Sequence, residues 1–327
     1  MEKYAKFRLK NSKKKETLKS DNLDEINTPI LEKFTIHHGR IFLNDPESNY
    51  ILPCDKRAIQ GDALGHFTRK QLWDGNFSSP IEKKLLDGGA TVLEIGNAGE
   101  TSVTSVNCRH WTVEMALDYP SSTFVGIDLN PEMFPSDNQR SSNVGFIECN
   151  VIQGIPFPSN TFDFIFMCRM WGAFTGSQWP KLINEIVRVL KYDGWIEIVE
   201  GDPMYKNGGK IFKKIYDASS EQFFNSNGIS PDVLNSIPKF IEQNNELTDF
   251  SYNKVNASLG EWNGYFGFVM LKSVRKFMED FVFLPEALNI TKDQYLQLLD
   301  DFEKEANENK TSLDLYRFFA RKSSNIS

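Results

Sequence analysis

The chain has 327 residues, of which 40% are apolar and 25% charged, with a net charge of −7 at pH 7. This is an ordinary globular composition with room for one large or two modest domains, and its acidity argues against binding nucleic acid through a broad basic face. The absence of a long apolar run or signal peptide, and four isolated cysteines without zinc-site spacing, predict a soluble cytoplasmic protein without a metal or a membrane partner.

The first 28 residues are predicted to be a disordered basic tail. Eight Lys or Arg and two acids fall within the first twenty positions, with almost no apolar periodicity. The cluster Lys10–Lys15 is either a nuclear import signal or a solvated basic stretch. The nucleus is therefore the alternative to the cytoplasm.

Residues 29–90 are predicted to form an N-terminal extension with lid helices. An extended piece is expected from Ile36 to Tyr50, and a first helix from Asp55 to Trp73, where apolar residues recur at helical spacing. Ser79 is expected to cap a second helix that has Pro80 at its first position and ends at Asp87-Gly88-Gly89.

A buried strand, a glycine turn and a second strand form the centre of the pattern. Thr91–Ile95 is an apolar, β-branched run that breaks at Gly96-Asn97-Ala98-Gly99, where small residues let the backbone approach a ligand. The next apolar strand, Ser122–Ile127, ends in Asp128, whose carboxylate can accept both hydroxyls of a ribose. The carboxyl ends of neighbouring parallel strands meet at one edge of a sheet, which predicts a nucleoside-cofactor site.

Further strands and helices alternate along the chain. Residues 91–327 are predicted to form one domain with a helical insertion at about 205–310. The fold class is α/β: a Rossmann-like, doubly wound, mainly parallel seven-stranded sheet with helices on both faces and a helical lid. The five remaining strands are expected at Val144–Cys149, Thr161–Met167, Trp195–Glu200, 246–257 and 312–321, and the helices at 178–190, 211–224, 231–243, 264–283 and 291–307.

Four motifs in this order resemble the class I S-adenosylmethionine-dependent methyltransferases: Val92-Leu93-Glu94-Ile95-Gly96, Gly126-Ile127-Asp128, Phe157-Pro158-x-x-x-Phe162-Asp163, and Glu185-x-x-Arg188-Val189-Leu190-Lys191-x-x-Gly194-Trp195. The flanks, Asn76-Phe77-Ser78-Ser79-Pro80-Ile81, Leu259-Gly260-Glu261-Trp262 and Tyr316-Arg317, are similar to those of fungal members related to regulators of secondary metabolism. The resemblance covers roughly residues 50–321 and implies S-adenosylmethionine as cofactor.

The resemblance also implies roles for individual residues. Glu94, Gly96, Ala98 and Gly99 would face the methionine portion of the cofactor, and Asp128 the ribose hydroxyls. The adenine ring would contact Leu129, Val151 and Asn150, where Asn150 stands in place of the usual Asp and could accept a bond from the adenine amino group. The residues from Met167 to Arg169 would line the methyl-donor end.

The glycine loop departs from the family pattern. Fourteen residues separate Gly96 from Trp111, where the family has about five, and removing about nine of them leaves about 23 positions between Gly96 and Asp128, close to the expected spacing. The extra segment either bulges outward and leaves a working site, or spoils the backbone approach and leaves a weak or dead enzyme, or is a mis-spliced segment.

No catalytic base stands out in the sequence. His66, His110, Glu200 and Asp202 are candidates by position only. An aromatic set would suit an apolar small-molecule acceptor, although core packing explains it equally well. Its members are Trp171, Phe174, Tyr205, Phe212, Phe223, Phe224, Trp262 and Tyr265.

Two other classes of protein are alternatives to a methyltransferase. A nicotinamide-dependent dehydrogenase requires a third glycine at the start of the helix, which this chain lacks. A binding protein without enzymatic activity, acting on a protein partner, is the alternative that the disturbed loop favours.

Overall fold

The computed structural model describes residues 33–45, 48, 50–96, 111–135 and 140–324. The predicted basic tail lies outside these ranges. The same holds for Ala98, Gly99 and His110, which belong to the lengthened loop.

The described residues form nine strands, seven in one sheet and two in a separate hairpin. These are β1 Phe34–His37, β2 Arg40–Leu43, β3 Thr91–Ile95, β4 Thr123–Asp128, β5 Val144–Glu148, β6 Phe162–Cys168, β7 Leu190–Gly201, β8 Leu247–Ser258 and β9 Ser312–Lys322. The strands of the large sheet lie in the order β5-β4-β3-β6-β7-β9-β8. In this order, the five strands from β5 to β7 are parallel, and β9 is antiparallel to its neighbours β7 and β8. The predicted mainly parallel seven-stranded sheet is confirmed.

Nine α-helices are described. They are α1 Lys56–Trp73, α2 Glu82–Asp87, α3 Trp111–Asp118, α4 Trp179–Val189, α5 Gly209–Ser219, α6 Val233–Glu242, α7 Gly264–Glu279, α8 Leu284–Ala287 and α9 Lys292–Asn309. Helices α5 to α9 occupy the region predicted as a helical insertion, with β8 between α6 and α7. The strand order reverses between β3 and β6, which is where doubly wound sheets form their ligand crevice.

Both faces of the sheet are buried, because neighbouring residues of a strand point to opposite sides. In β6, Ile165 and Met167 pack with α4 in one core cluster, whereas Phe164 and Phe166 pack with α3 in another. A third cluster joins α5, α7 and α9. The near-continuous apolar runs in the sequence follow from this two-sided burial.

Helix α1 lies over the sheet edge and is tied down at its start. Asp55 caps its first turn and also binds the guanidinium of Arg40, at 2.5 Å and 2.9 Å. Arg40 is 5% exposed and donates in addition to Asp280, just after α7, at 2.8 Å. One buried arginine therefore joins the hairpin, α1 and the helical insertion.

Three local predictions were wrong. Residues 36–50 do not form one extended piece: β1 and β2 form a hairpin that turns at His38-Gly39, both in the left-handed region of φ. Ser79 does not cap α2, which begins at Glu82 after Ile81. Strand β7 begins at Leu190 rather than Trp195, because the segment after α4 continues directly into the sheet.

Ser79 instead belongs to a buried polar anchor. Glu197 on β7 accepts hydrogen bonds from the amides of Ser78 and Ser79 and from the Ser79 hydroxyl, at 2.7–3.0 Å. Arg317 on β9 lies 3.5 Å from Glu197 and donates to the carbonyl of Gly75 at 2.7 Å. Two of the flanking motifs in the sequence, one around Ser79 and one around Arg317, are thus in contact.

The motif residues late in the domain also form a scaffold. Asp163 accepts from the amide of Thr91 at 2.8 Å and from Lys191 at 2.9 Å, joining three strands. Glu185 and Arg188 pair at 2.6 Å, and Arg188 donates to backbone carbonyls of the loop before β6. These motifs position strands and do not reach the crevice.

Candidate functional site

A cavity of about 370 Å³ opens at the carboxyl ends of β3, β4, β6 and β7, under α1 and beside α5 and α7. Its volume falls in the range of small-molecule and cofactor sites, roughly 300–1,000 Å³. Seven of the ten predicted site residues line it: Glu94, Gly96, Asp128, Leu129, Asn150, Val151 and Arg169. Their roles toward a cofactor stay predictions.

Asp128 ends β4 at the mouth of the cavity. Its Oδ1 accepts the amide of Asn130 at 2.9 Å, which fixes the carboxyl in the turn after the strand. Burial, together with the charges of Glu94 and Asp62, raises the pKa of Asp128 to about 7. The carboxyl is therefore half-ionised near neutral pH, and donors such as ribose hydroxyls would favour its ionised form.

Asn150, two residues after β5, presents its amide nitrogen rather than its oxygen. The oxygen accepts the amide of Ile152 at 3.1 Å, whereas the buried Nδ2 has no hydrogen-bond partner among the described residues. Exchanging the two atoms would set Nδ2 against the Ile152 N–H, two donors facing each other. The unsatisfied group is a donor, so it fits a ring nitrogen of adenine better than the adenine amino group.

The two sides of the lengthened loop are held together at its base. Glu94 on β3 is 7% exposed, and its Oε2 accepts from the amide of Thr112 at 3.1 Å and from the Thr112 hydroxyl. Next to it, Trp111 stacks on Phe166 with ring centroids 4.1 Å apart. The strand before the loop and the helix after it thus meet as they would with a short loop.

Gly96 lies in the left-handed region, with φ of +78°, and is covered by Met170. A Cβ at this position would lie 2.3 Å from the Met170 sulfur, so the Met170 side chain would have to shift, and the positive φ by itself favours glycine. The nucleoside end of the site fits the implied cofactor through Asp128 and Asn150. At the methionine end, the flexible Met170 side chain lies over the turn.

Two predicted residues at the end of β6 differ in position. Met167 is fully buried in the core between the sheet and α4 and does not line the cavity; Phe166 and Cys168 do, because alternate residues face opposite sides. Arg169, with φ of +59°, lines the cavity, binds Asp62 of α1 at 2.8 Å and lies over the ring of Phe277 at 5.0 Å.

Three of the positional candidates for a catalytic base line the cavity. Glu200 on β7 is fully buried; its Oε1 accepts the amide of Met170 at 2.8 Å, and burial raises its pKa to about 8. Asp202 follows the same strand, and burial raises its pKa. The Nε2 of His66 lies 2.7 Å from Glu114, and burial lowers the His66 pKa, so the imidazole is neutral at pH 7.

The half of the cavity over β6, β7 and β9 is a mainly apolar chamber. Its walls come from α5, from α7 and from the segment after β7. Five of the predicted aromatic residues line the cavity, namely Trp171, Phe174, Tyr205, Phe212 and Phe224. Trp262 and Tyr265 do not; they are 38% and 81% exposed.

Sequence reasoning missed several cavity residues from the N-terminal extension, among them Tyr50, Asp62 and Arg69. Asp62, His66 and Arg69 recur every three or four positions on one face of α1, a polar stripe in an otherwise mixed helix. That stripe was the available signal. Within the described residues, no cluster suits a metal ion and no helix has the length and apolarity needed to cross a bilayer.

A family profile described as a methyltransferase domain matches residues 107–198. The match begins inside the lengthened loop, after Gly96. It extends through β4, which ends in Asp128, and through the scaffold motifs into β7.

Several curated fungal proteins are similar to the chain. The methyltransferase pytC of Aspergillus terreus is 27% identical over 184 residues, which is 55% of this chain and 51% of pytC. The N-methyltransferase verN of Clonostachys rogersoniana is 22% identical over 175 residues, 52% and 56% of the two chains. The secondary metabolism regulator laeA of Aspergillus flavus is 25% identical over 193 residues, 56% and 46%. The chain thus spans about half the length of these relatives.

Solved structures with similar folds include a phosphoethanolamine N-methyltransferase of Haemonchus contortus with S-adenosylhomocysteine, at 18% identity and a TM-score of 0.42, covering 80% of this chain and 58% of that one. A methyltransferase of Archaeoglobus fulgidus gives 12% identity and a TM-score of 0.44, covering 82% and 97%. The matched methyltransferase domain and the strand order agree with the predicted resemblance to the class I S-adenosylmethionine-dependent methyltransferases.

Proposed function

We propose that this protein transfers the methyl group of S-adenosylmethionine to a small-molecule acceptor bound in the same cavity. The observation that carries the proposal is that one cavity joins the strand ends bearing Asp128 and Asn150 to the apolar chamber beside α5 and α7. A cofactor and an acceptor could therefore meet without crossing solvent.

The bound cofactor would supply a methyl group already activated by its sulfonium. The protein's part would be to hold the two molecules in line and to exclude water. Asp128 would hold the ribose and Asn150 the adenine. Glu200 and Asp202 lie on the acceptor side, where a carboxyl in its ionised form could receive a proton from the acceptor; for Glu200 this is the minor form at pH 7. The reaction would take place in the cytoplasm, or in the nucleus if the basic segment directs import.

A catalytically weak or inactive relative that regulates a protein partner is the second candidate. It is supported by the fourteen residues between Gly96 and Trp111, by the engagement of Glu94 with Thr112, and by the regulator laeA among the relatives. Such a protein would keep the fold and lose the cofactor.

Calorimetric titration with S-adenosylhomocysteine separates the two candidates. Micromolar binding is expected for the methyltransferase, with a loss of roughly ten- to a hundredfold in Asp128→Ala, because two hydroxyl bonds to a charged acceptor are removed. Glu148→Gln, at the end of neighbouring β5 and outside the cavity, is the matched control and should bind as the parent protein does. No binding up to millimolar ligand, from protein that melts cooperatively, would favour the regulator.

A further inference from the structure

We propose that the acceptor carries a carboxylate beside an apolar body, and that Arg69 on α1 binds this carboxylate. This inference rests on the proposed function and specifies the acceptor's chemistry. It starts from a charged side chain at the cavity for which the described residues supply no partner.

Arg69 lines the cavity, is partly buried, and makes no hydrogen bond or ion pair with the described residues. All other arginines in the described part of the chain have a polar partner. They are Arg40, Arg57, Arg140, Arg169, Arg188, Arg275, Arg317 and Arg321. An unpaired guanidinium is costly away from bulk water, so its retention here points to a partner from outside the described residues, and a bound ligand would supply it.

The guanidinium of Arg69 lies next to that of Arg169. A Cβ built on Gly65 would be 2.8 Å from Nη1 of Arg69 and 3.3 Å from Nη1 of Arg169. Asp62 neutralises Arg169 through their 2.8 Å bond. The guanidinium groups of Arg69 and Arg169 therefore lie beside one carboxylate, that of Asp62. These three groups together carry a net charge of +1.

The other titratable groups near Arg69 do not supply the missing charge at neutral pH. Burial raises the pKa of Glu200 to about 8 and raises that of the Cys168 thiol, so both are mainly protonated at pH 7. Burial lowers the pKa of His66, which is neutral, and Arg317 is engaged with Glu197. A carboxylate would match the planar donor fork of Arg69 and balance the charge.

The surroundings of Arg69 favour the acceptor over the cofactor as the source of this carboxylate. Besides Asp62 and Arg169, the groups that interact electrostatically with Arg69 include Cys168 on β6 and Glu200 on β7, whereas Asp128 and Asn150 lie on the β4 and β5 side. The apolar chamber begins next to it, since Arg169 lies over the ring of Phe277. Tyr205 and Phe212 stack further in, with ring centroids 4.4 Å apart.

The test compares two aromatic probes of equal size, 2-naphthoate and 2-naphthalenemethanol, in calorimetric titrations at pH 7 with and without saturating S-adenosylhomocysteine. We expect the parent protein to bind the carboxylate at least tenfold more tightly than the alcohol. Arg69→Met should reduce this preference to less than twofold by weakening naphthoate alone. Arg57→Met, an exposed arginine on the same helix outside the cavity, should keep the preference.

A second arm identifies the source of the carboxylate. If Arg69 serves the acceptor, Arg69→Met binds S-adenosylhomocysteine and 5′-methylthioadenosine, which lacks the amino-acid portion, as the parent protein does. Weakened binding of S-adenosylhomocysteine alone would assign Arg69 to the cofactor and overturn the proposal. Equal binding of the two naphthalene probes by the parent protein, or none of naphthoate at millimolar concentration, would also overturn it.

The titrations without cofactor keep this proposal separate from the proposed function. A protein that prefers naphthoate but fails to bind S-adenosylhomocysteine has the acidic-ligand site and lacks the transferase function. A protein that binds S-adenosylhomocysteine without preferring naphthoate has the cofactor site and lacks the acidic-ligand site.

Discussion

The two halves of the cavity are built in different ways. The half over β3, β4 and β5 takes its polar groups from residues at or just after strand ends, such as Asp128 and Asn150. The half over β6, β7 and β9 is closed by α1, α5 and α7, which come from both ends of the chain. The first half can therefore be recognised from a short stretch of sequence, whereas the second half forms only when distant segments pack together.

The largest expected effect comes from the buried anchor around Glu197 on β7, a strand of the second half. Glu197→Ala removes the acceptor of three donors and the partner of Arg317 in a fully buried site. Leaving a buried charge and its donors unpaired should lower the free energy of unfolding by about 3–5 kcal/mol. Urea denaturation measures this; Glu197→Gln, which keeps an acceptor oxygen, should lose less. A loss under about 1 kcal/mol would mean that the anchor is not needed.

A change of pH should act on the first half of the cavity. Because the pKa of Asp128 is raised to about 7, lowering the pH below 7 protonates the carboxyl that would accept the ribose hydroxyls. The affinity for S-adenosylhomocysteine should fall by up to tenfold per pH unit between pH 7 and 5, and calorimetry across this range measures it. Asp128→Asn should flatten the profile, whereas a profile unchanged in this variant would assign the titration to another group.

The Asp128 carboxyl should also make the free energy of unfolding depend on pH. The unfolded chain releases the Asp128 proton near pH 4, whereas the folded chain keeps it until about pH 7. Its contribution therefore lowers the free energy of unfolding as the pH rises from 4 to 7. Subtracting the denaturation curves of Asp128→Asn isolates this contribution, and a difference independent of pH would contradict it.

The smallest effect sharpens the description of the nucleoside end. Asn150→Asp removes the unpartnered amide donor and keeps the oxygen that accepts from Ile152, so S-adenosylhomocysteine should bind roughly three- to tenfold more weakly, the value of one hydrogen bond. Asn150→Ala serves as the comparison. Binding by Asn150→Asp as tight as that of the parent protein would show that the oxygen, as the family pattern implied, contacts the adenine.

The sequence by itself determined the sheet and the strand-end half of the cavity. Apolar runs such as Thr91–Ile95 and Phe162–Cys168 are buried on both faces, so each identifies its own strand without knowledge of its neighbours. The position of Asp128 at the cavity follows because this residue ends such a run. Met167 marks the limit, since the pattern could not say which face of β6 borders the cavity.

Only the tertiary structure decided the rest. The residues next to Ser79 in the sequence predict that it caps a helix. In the structure its hydroxyl instead donates a hydrogen bond to Glu197, 118 residues away. The orientation of the Asn150 amide depends on one backbone N–H. Arg69 stands out only when every charge around it has been assigned, and those charges come from α1, β6, β7 and β9. Such partnerships depend on long-range packing and burial, which local sequence patterns do not encode.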